Sequence, residues 1–289
     1  PTVTAFALVN YPPGRMPVRR AGYAFIGANP LPFVTAYHGA VTSLPAIEQA
    51  AAGNGALNVG FGAGGVIRQV PLLLALQDEL YPSLVAEALR VAQGADTYVI
   101  KTAGAAGETS FGTQTGITHV RIGAHVIPTD SRGEIWIAYT PPVPARYLPA
   151  WKVLQGDIET DAVRGAIVLI GSTAAGLQDL HATPLAVAMS GVAIHAQAIE
   201  QVLLEISLIR PDWAKGAEVL LMLGLAALLL LLGSRIGAVW TAVIGVAATL
   251  AAFLASWYAF REQRILLDPL FPAAAVLVTY VTFSLIKTL

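Results

Sequence analysis

Three apolar runs close the chain, Ala217–Gly233, Ile236–Phe260 and Ile265–Ile286, and the residues before them read as a water-soluble domain. A hydrocarbon core takes about 20 apolar residues per helix, and each run reaches that length with its flanks. The charges in or beside the runs are Glu218, Arg235, the Arg261–Arg264 cluster, Asp268 and Lys287. A soluble core buries one such helix but rarely three in succession, so the pattern demands membrane anchorage with a large domain on one side. The expected fold class is an α/β extracytoplasmic domain with a mixed sheet over residues 1–212, its N-terminal part missing, plus a C-terminal bundle of three transmembrane helices over 213–289. The spans are expected at about 216–233, 236–260 and 265–287.

Composition narrows the function classes. Only 12% of residues are charged, against roughly 25% in an ordinary soluble chain. The net charge of −1 offers no basic surface for nucleic acid. Cysteine is absent, which removes disulfides, thiolate nucleophiles and thiolate metal sites together. Membrane lipid is the expected partner, and no cofactor is expected in this chain. The opening PTVTAFALVNYPPGR has neither the basic start nor the apolar run of a signal peptide. An exported domain would then need an earlier segment carrying another span, so the chain is expected to be a piece of a longer protein.

Along the soluble part, Ser43–Ala52 reads as a short helix capped by Ser43, and Val66–Leu74 as a strand. Ser83 caps a helix to Gln93 with Leu84, Ala88, Val91 and Ala92 inward and Gly94 as its stop. The segments THVRI, AHVIP and EIWIAY have the spacing of a β-meander. Ala166–Ile170 reads as a buried strand running into Gly171-Ser-Thr-Ala-Ala-Gly176, and a helix from Val192 to about Ile206 closes the domain. The short links at Ser234-Arg235 and Arg261–Arg264 make the spans antiparallel neighbours. The second span carries small residues four apart, Ala247, Ala251 and Ala255 with Ala248, Ala252 and Ser256, a pattern that lets helix backbones approach.

Several motifs invite a chemical reading. Gly60, Gly62 and Gly65 match G-x-G-x-x-G, but Pro71 stands where the following helix should be, so a turn between strands fits better. The Gly171–Gly176 loop lacks the lysine of a nucleotide P-loop. It can still offer backbone N–H groups and the Ser172 and Thr173 hydroxyls to an anion or a carbonyl. His195 shares a helical stripe with Ile199, Val202, Leu203 and Ile206, which makes it a packed histidine needing a polar partner; Asp179 and Thr183 are the obvious candidates. Ser172, Asp179 and His195 superficially form a triad, but the G-x-S-x-G elbow is missing. No two histidines stand at metal-ligand spacing on one helix.

The segment from Ile167 to Ala196 resembles the signature of the extracellular sensor domain called CHASE, type 2. Gly171, Ser172, Thr173, Ala174, Gly176, Asp179, Thr183, Pro184, Gly191, Val192, Ile194, His195 and Ala196 fall on that pattern, with Ser190 in place of a proline. Upstream, Leu57-Asn58 and Gly65-Val-Ile-Arg68-Gln-Val-Pro71-Leu72 are similar to the family's hairpin, with Gly64 standing in for an aspartate. Three spans after the domain, the third bearing Pro269 and Pro272, also follow the family arrangement.

The resemblance implies the sensory and membrane-anchoring portion of a bacterial receptor. Its domain would lie in the periplasm, its spans in the inner membrane, and an output module, most often a class III adenylate or guanylate cyclase, would follow Leu289. No catalytic residue is then expected within this chain, and the candidate ligand-binding residues are Gly171, Ser172, Thr173, Asp179, Thr183, His195 and Arg68. Expected partners are a homodimer mate, a small-molecule or protein signal, and a larger membrane complex. The alternatives are a structural accessory subunit of such a complex, a sensor histidine kinase, or a membrane-bound hydrolase using the glycine loop and His195.

Overall fold

The computed structural model describes residues 1–11, 14–60, 63–104, 116–159, 161, 163–173 and 179–288. Among them the chain divides into two compact units, one ending at Ser207 and one beginning at Leu208. The first contains β1 (Val3–Val9), β2 (Gly22–Ile26), β3 (Ala36–Tyr37), β4 (Gly39–Val41), α1 (Pro45–Ala50), β5 (Gly53–Ala56), β6 (Gln69–Pro71), β7 (Leu73–Leu76), β8 (Glu79–Pro82) and α2 (Leu84–Ala92). It continues with β9 (Thr97–Thr102), β10 (Ile117–Ile122), β11 (His125–Pro128), β12 (Glu134–Trp136), α3 (Ala150–Gln155), β13 (Leu180–His181), β14 (Met189–Ser190) and α4 (Gly191–Leu203).

These strands form three small mixed sheets and two antiparallel pairs, β12 with β6 and β13 with β14, among the described residues. The largest has the order β11-β10-β9-β2, with β2 parallel to β9 and the other pairs antiparallel. Alternation along its strands is what sets the buried face: Tyr98, Ile100 and Thr102 point inward on β9, and Val120 and Ile122 on β10. β1 pairs with β4 antiparallel and with β5 parallel, and β7 joins β3 to β8. The main core gathers Tyr98, Ile100, Val120 and Ile122 with Leu72, Val85 and Leu89, and with Ile194, Ala198 and Ile199 of α4.

Local chemistry accounts for most element boundaries. Ser83 caps α2 as its position demands, its hydroxyl accepting from the Ala86 amide at 3.3 Å. The inward face of α2 differs from expectation. Val85, Ala86, Ala88 and Leu89 are buried together with Glu87 and Arg90, while Ala92 is exposed, because β-structure and α4 cover the helix from more than one side. Ser43 does not cap α1; Leu44 holds that position and the Ser43 hydroxyl donates to the Ala5 carbonyl at 3.2 Å. The meander stops after two hairpins, since β12 pairs with β6 and not with β11.

The buried strand expected at Ala166–Ile170 needs correction. The segment belongs to no ladder among the described residues. Ile167 and Leu169 still pack against the core, but Val168 is 57% and Ile170 95% exposed. Its continuous apolar sequence is that of a strand covered on both faces, and here only one face is covered. The helix expected at Val192–Ile206 begins one residue earlier and ends at Leu203.

The second unit holds α5 (Ala214–Ile236), α6 (Ala238–Tyr258) and α7 (Leu270–Thr288), with a π turn at Ala259–Gln263. Two helices, Ala214–Ile236 and Ala238–Gln263, are long and apolar enough to cross a membrane; the apolar stretch Leu270–Leu285 is shorter. The first break lies at Gly237, whose φ of 84° only glycine adopts freely, so Ser234 and Arg235 remain inside α5. Ile265–Pro269 are not helical. Ile209 bridges to Ile265, its amide donating to the Arg264 carbonyl at 3.0 Å and its carbonyl accepting from Leu266 at 2.9 Å. Glu218 locks this end. Its carboxylate accepts from Arg210 at 2.8 and 3.1 Å and from the Asp268 amide at 2.8 Å.

Candidate functional site

The N-terminal end of α4 is where the recognisable motifs meet. Leu57 and His195 come together through Nε2 of the imidazole, 3.2 Å from the Leu57 carbonyl. The Ile67 amide donates to the Ala182 carbonyl at 2.8 Å, which sets Arg68 one residue beyond the strip that holds His181 and Thr183. Asn58 fixes the adjoining strand by pairing both backbone groups of Leu8, at 2.7 and 2.9 Å. Segments far apart in sequence therefore share one end of the domain.

Close approach explains the glycines of this site. A Cβ on Gly191 would lie 2.5 Å from Oδ1 of Asp179, and one on Gly171 would lie 2.7 Å from the Val192 Cβ. The Asp179 carboxylate and the Gly171 turn thus sit directly against the first turn of α4. The Asp179 carbonyl also accepts from the Gly191 amide at 3.2 Å.

The expected partnership of His195 with Asp179 or Thr183 is not formed. Asp179 engages His181 instead, Oδ1 to Nε2 at 3.1 Å. Thr183 closes a turn with the backbone of Ala186 at 3.1 and 3.2 Å. His195 is 3% exposed. Because Leu57 offers only an acceptor, the neutral ring carries its proton on Nε2 and leaves Nδ1 as a bare acceptor. That nitrogen is buried with no hydrogen-bond partner among the described residues. Burial above all holds the imidazole below its ordinary pKa; the Leu57 bond and Asp179 pull it back up, and His181 pushes it further down.

Gly171, Ser172 and Thr173 are exposed next to this cluster; Ala174 to Gln178, which include Gly176 of the loop, lie outside the described residues, as do Phe61 and Gly62 of the earlier glycine patch. Arg68 is exposed. The contacts of a hydrolase triad are not assembled, since Asp179 faces His181 and neither nitrogen of His195 bonds Ser172. Among the described residues no three His, Cys, Asp or Glu side chains are grouped to hold a metal ion.

Sequence reasoning missed His181, and missed Leu57 as the partner of His195. Asp179 and His181 are two apart along an extended segment and so share a face, a signal that could have found the pair. It also missed a second buried polar cluster on α2. Glu87, 1% exposed, accepts from Arg90 at 2.8 and 2.9 Å, from the Tyr98 hydroxyl at 2.6 Å and from the Asn54 amide at 3.2 Å. Arg90 reaches on to the Ala95 and Ala52 carbonyls. Burial first, then the Glu87 charge, pushes the Tyr98 hydroxyl well up from its usual range. Every strong donor and acceptor here is paired, so the cluster is structural.

The family model of the CHASE2 domain matches residues 8–232, more than half of the chain. The chain belongs to the CHASE2 family. CHASE2 is a sensor domain found in signalling receptors, and the match runs past the soluble unit into α5. Together with two helices able to cross a bilayer, it points to a membrane protein. No curated protein and no solved structure matches the chain.

Proposed function

We propose that this CHASE2 chain is the sensory and anchoring portion of a bacterial transmembrane receptor. Its α/β domain would stand in the periplasm, with α5, α6 and α7 as three spans of the inner membrane and a class III adenylate or guanylate cyclase as the output. The observation that carries the reading is the reach of the family match, from residue 8 through the domain and into the first apolar helix. Domain and anchor thus belong to one family unit.

In this reading the signal is received at the N-terminal end of α4. Gly171, Ser172, Thr173, Asp179, Thr183, Arg68 and His195 would form the site, with His181 added to them. The bare Nδ1 of His195 supports a ligand that brings a hydrogen-bond donor. Residues 204–213 join α4 to α5 in the chain. Two receptors would pair as a homodimer. The test is a fusion of this chain to a class III cyclase domain, expressed in bacteria lacking their own cyclase. Substituting Asp179 or His181 should change cyclic nucleotide output while leaving the protein in the membrane fraction. Output that is insensitive to every site substitution would overturn the assignment of the site.

A further inference from the structure

We infer that the turn between α6 and α7 is a docking groove for an anionic phospholipid. The proposal rests on the membrane reading above. A cavity of about 260 Å³ opens there, lined by Phe253, Ser256, Trp257, Phe260, Leu266 and Pro269. This is below the ~300–1,000 Å³ of a typical small-molecule site, so it fits one stretch of a chain-shaped ligand and leaves the remainder outside. The walls are mostly aromatic and apolar, and the surrounding helix faces are exposed leucine, valine and phenylalanine, the surface that acyl chains cover.

Cations sit at the rim. The Arg261 guanidinium lies over the Trp257 ring, 5.2 Å from its centre, and Arg264 is exposed at a φ of 57°, where it ends the π turn. Glu262 offsets part of this charge, 3.6 Å from Arg261, and Asp268 directs its carboxylate to the Leu270 amide at the start of α7. Arg264 has no ion pair among the described residues. Tryptophan, tyrosine and arginine cluster at this end of the helices as they do at the headgroup level of membrane proteins, and π turns are frequent at functional sites. A phosphate at Arg264 with an acyl segment along Trp257 satisfies both halves of the groove.

The full chain is placed in vesicles of phosphatidylcholine containing either brominated phosphatidylglycerol or brominated phosphatidylcholine. Bromine quenching of Trp257 is taken as the difference between wild type and Trp257→Phe. One uncompensated arginine at an interfacial phosphate favours the anionic lipid by about five-fold. Trp257 should be quenched at a correspondingly lower content of the brominated phosphatidylglycerol, and Arg264→Gln should erase the difference. Equal quenching by the two lipids in wild type, or an unchanged preference in both Arg264→Gln and Arg261→Gln, overturns the groove. An alkaline wash of the same vesicles separates the two readings. Retention with equal quenching rejects the lipid site alone, and release from the vesicles rejects membrane anchorage and the groove with it.

Discussion

The imidazole of His195 donates through Nε2 to the carbonyl oxygen of Leu57 at 3.2 Å, tying together positions 138 residues apart. This bond joins the α4 helix to the chain segment after β5. Among the described residues it is the only hydrogen bond of a ring that is 3% exposed. Removing it leaves the Leu57 carbonyl without its partner, so His195→Ala is expected to cost about 1–3 kcal/mol. For a domain of this size each kcal/mol lowers Tm by about 2–4 °C. Thermal unfolding of the purified chain checks this. A variant that melts like the wild type would show that the bond to Leu57 adds nothing to stability and that the ring serves the ligand alone.

Acid should weaken the domain through the same residue. Burial keeps the folded imidazole below its ordinary pKa of 6.5, so between that lowered value and about pH 6.5 the unfolded chain binds more protons than the folded one. Stability therefore falls as pH drops below about 6.5 and levels off once the folded ring is itself protonated. Glu134 acts with the opposite sign. Burial, and after it the neighbouring Asp130, raises its carboxyl, which favours the folded state on acidification. The slope specific to His195 is the difference between denaturation midpoints of wild type and His195→Phe measured from pH 7 to pH 5. Parallel curves would show that the ring has the same pKa in the folded and the unfolded chain, against the lowering by burial.

Arg90 is a buried charge whose removal should be costly. It is 5% exposed and bonded to a Glu87 that is 1% exposed. Arg90→Ala leaves a buried carboxylate without its counter-charge, an effect of about 3–5 kcal/mol. The double change Glu87→Leu with Arg90→Met should recover part of that loss, because no charge then stays buried. Urea unfolding of the three proteins gives the comparison. A single variant as stable as the double one would mean that Glu87 is reached by water.

Much of this architecture was legible beforehand, and the failures share a cause. The Ser83 cap, the strands β10 and β11 and the apolar helices follow from local chemistry and hydrophobic period, which a sequence carries openly. Pairing across the chain does not show in a sequence. EIWIAY looked like a third meander strand, yet Glu134–Trp136 lies against Gln69–Pro71. Ala166–Ile170 has the composition of a covered strand but finds no ladder partner among the described residues. The site was legible as a set of residues and not as a set of contacts. Gly171, Asp179, Gly191 and His195 do converge, but the partners of Asp179 and His195 are His181 and a backbone carbonyl. No spacing rule reaches a carbonyl 138 residues away.

Orientation is open to a clean test because the chain has no cysteine. With the sensor domain outside, the turn near Gly237 faces the cytoplasm and the turn at Arg261–Arg264 faces the periplasm. Single cysteines at Ser234 and Gln263 should then differ, with only Gln263→Cys labelled in intact spheroplasts by an impermeant thiol reagent. The reverse pattern would invert the receptor and place the sensor domain in the cytoplasm.

The last prediction separates the two faces of α6. Thr241 and Gly245 are buried, with Ala248, Ala252 and Ser256 half-buried on the same stripe, whereas Ala247, Ala251 and Ala255 are exposed. The first stripe packs inside the unit. A Cβ on Gly245 would already lie 3.2 Å from Val276 Cγ1, with Leu229 close behind at 3.8 Å, so a larger side chain there must push α5 and α7 away. The second stripe is exposed and presents small residues four apart, the pattern by which helices approach one another in lipid. Gly245→Leu should therefore lower the melting temperature of the detergent-solubilised monomer. Ala251→Leu with Ala255→Leu should leave that temperature unchanged and reduce the dimer fraction measured by light scattering. A dimer that survives the alanine changes intact would assign pairing to another surface and leave the exposed stripe to lipid.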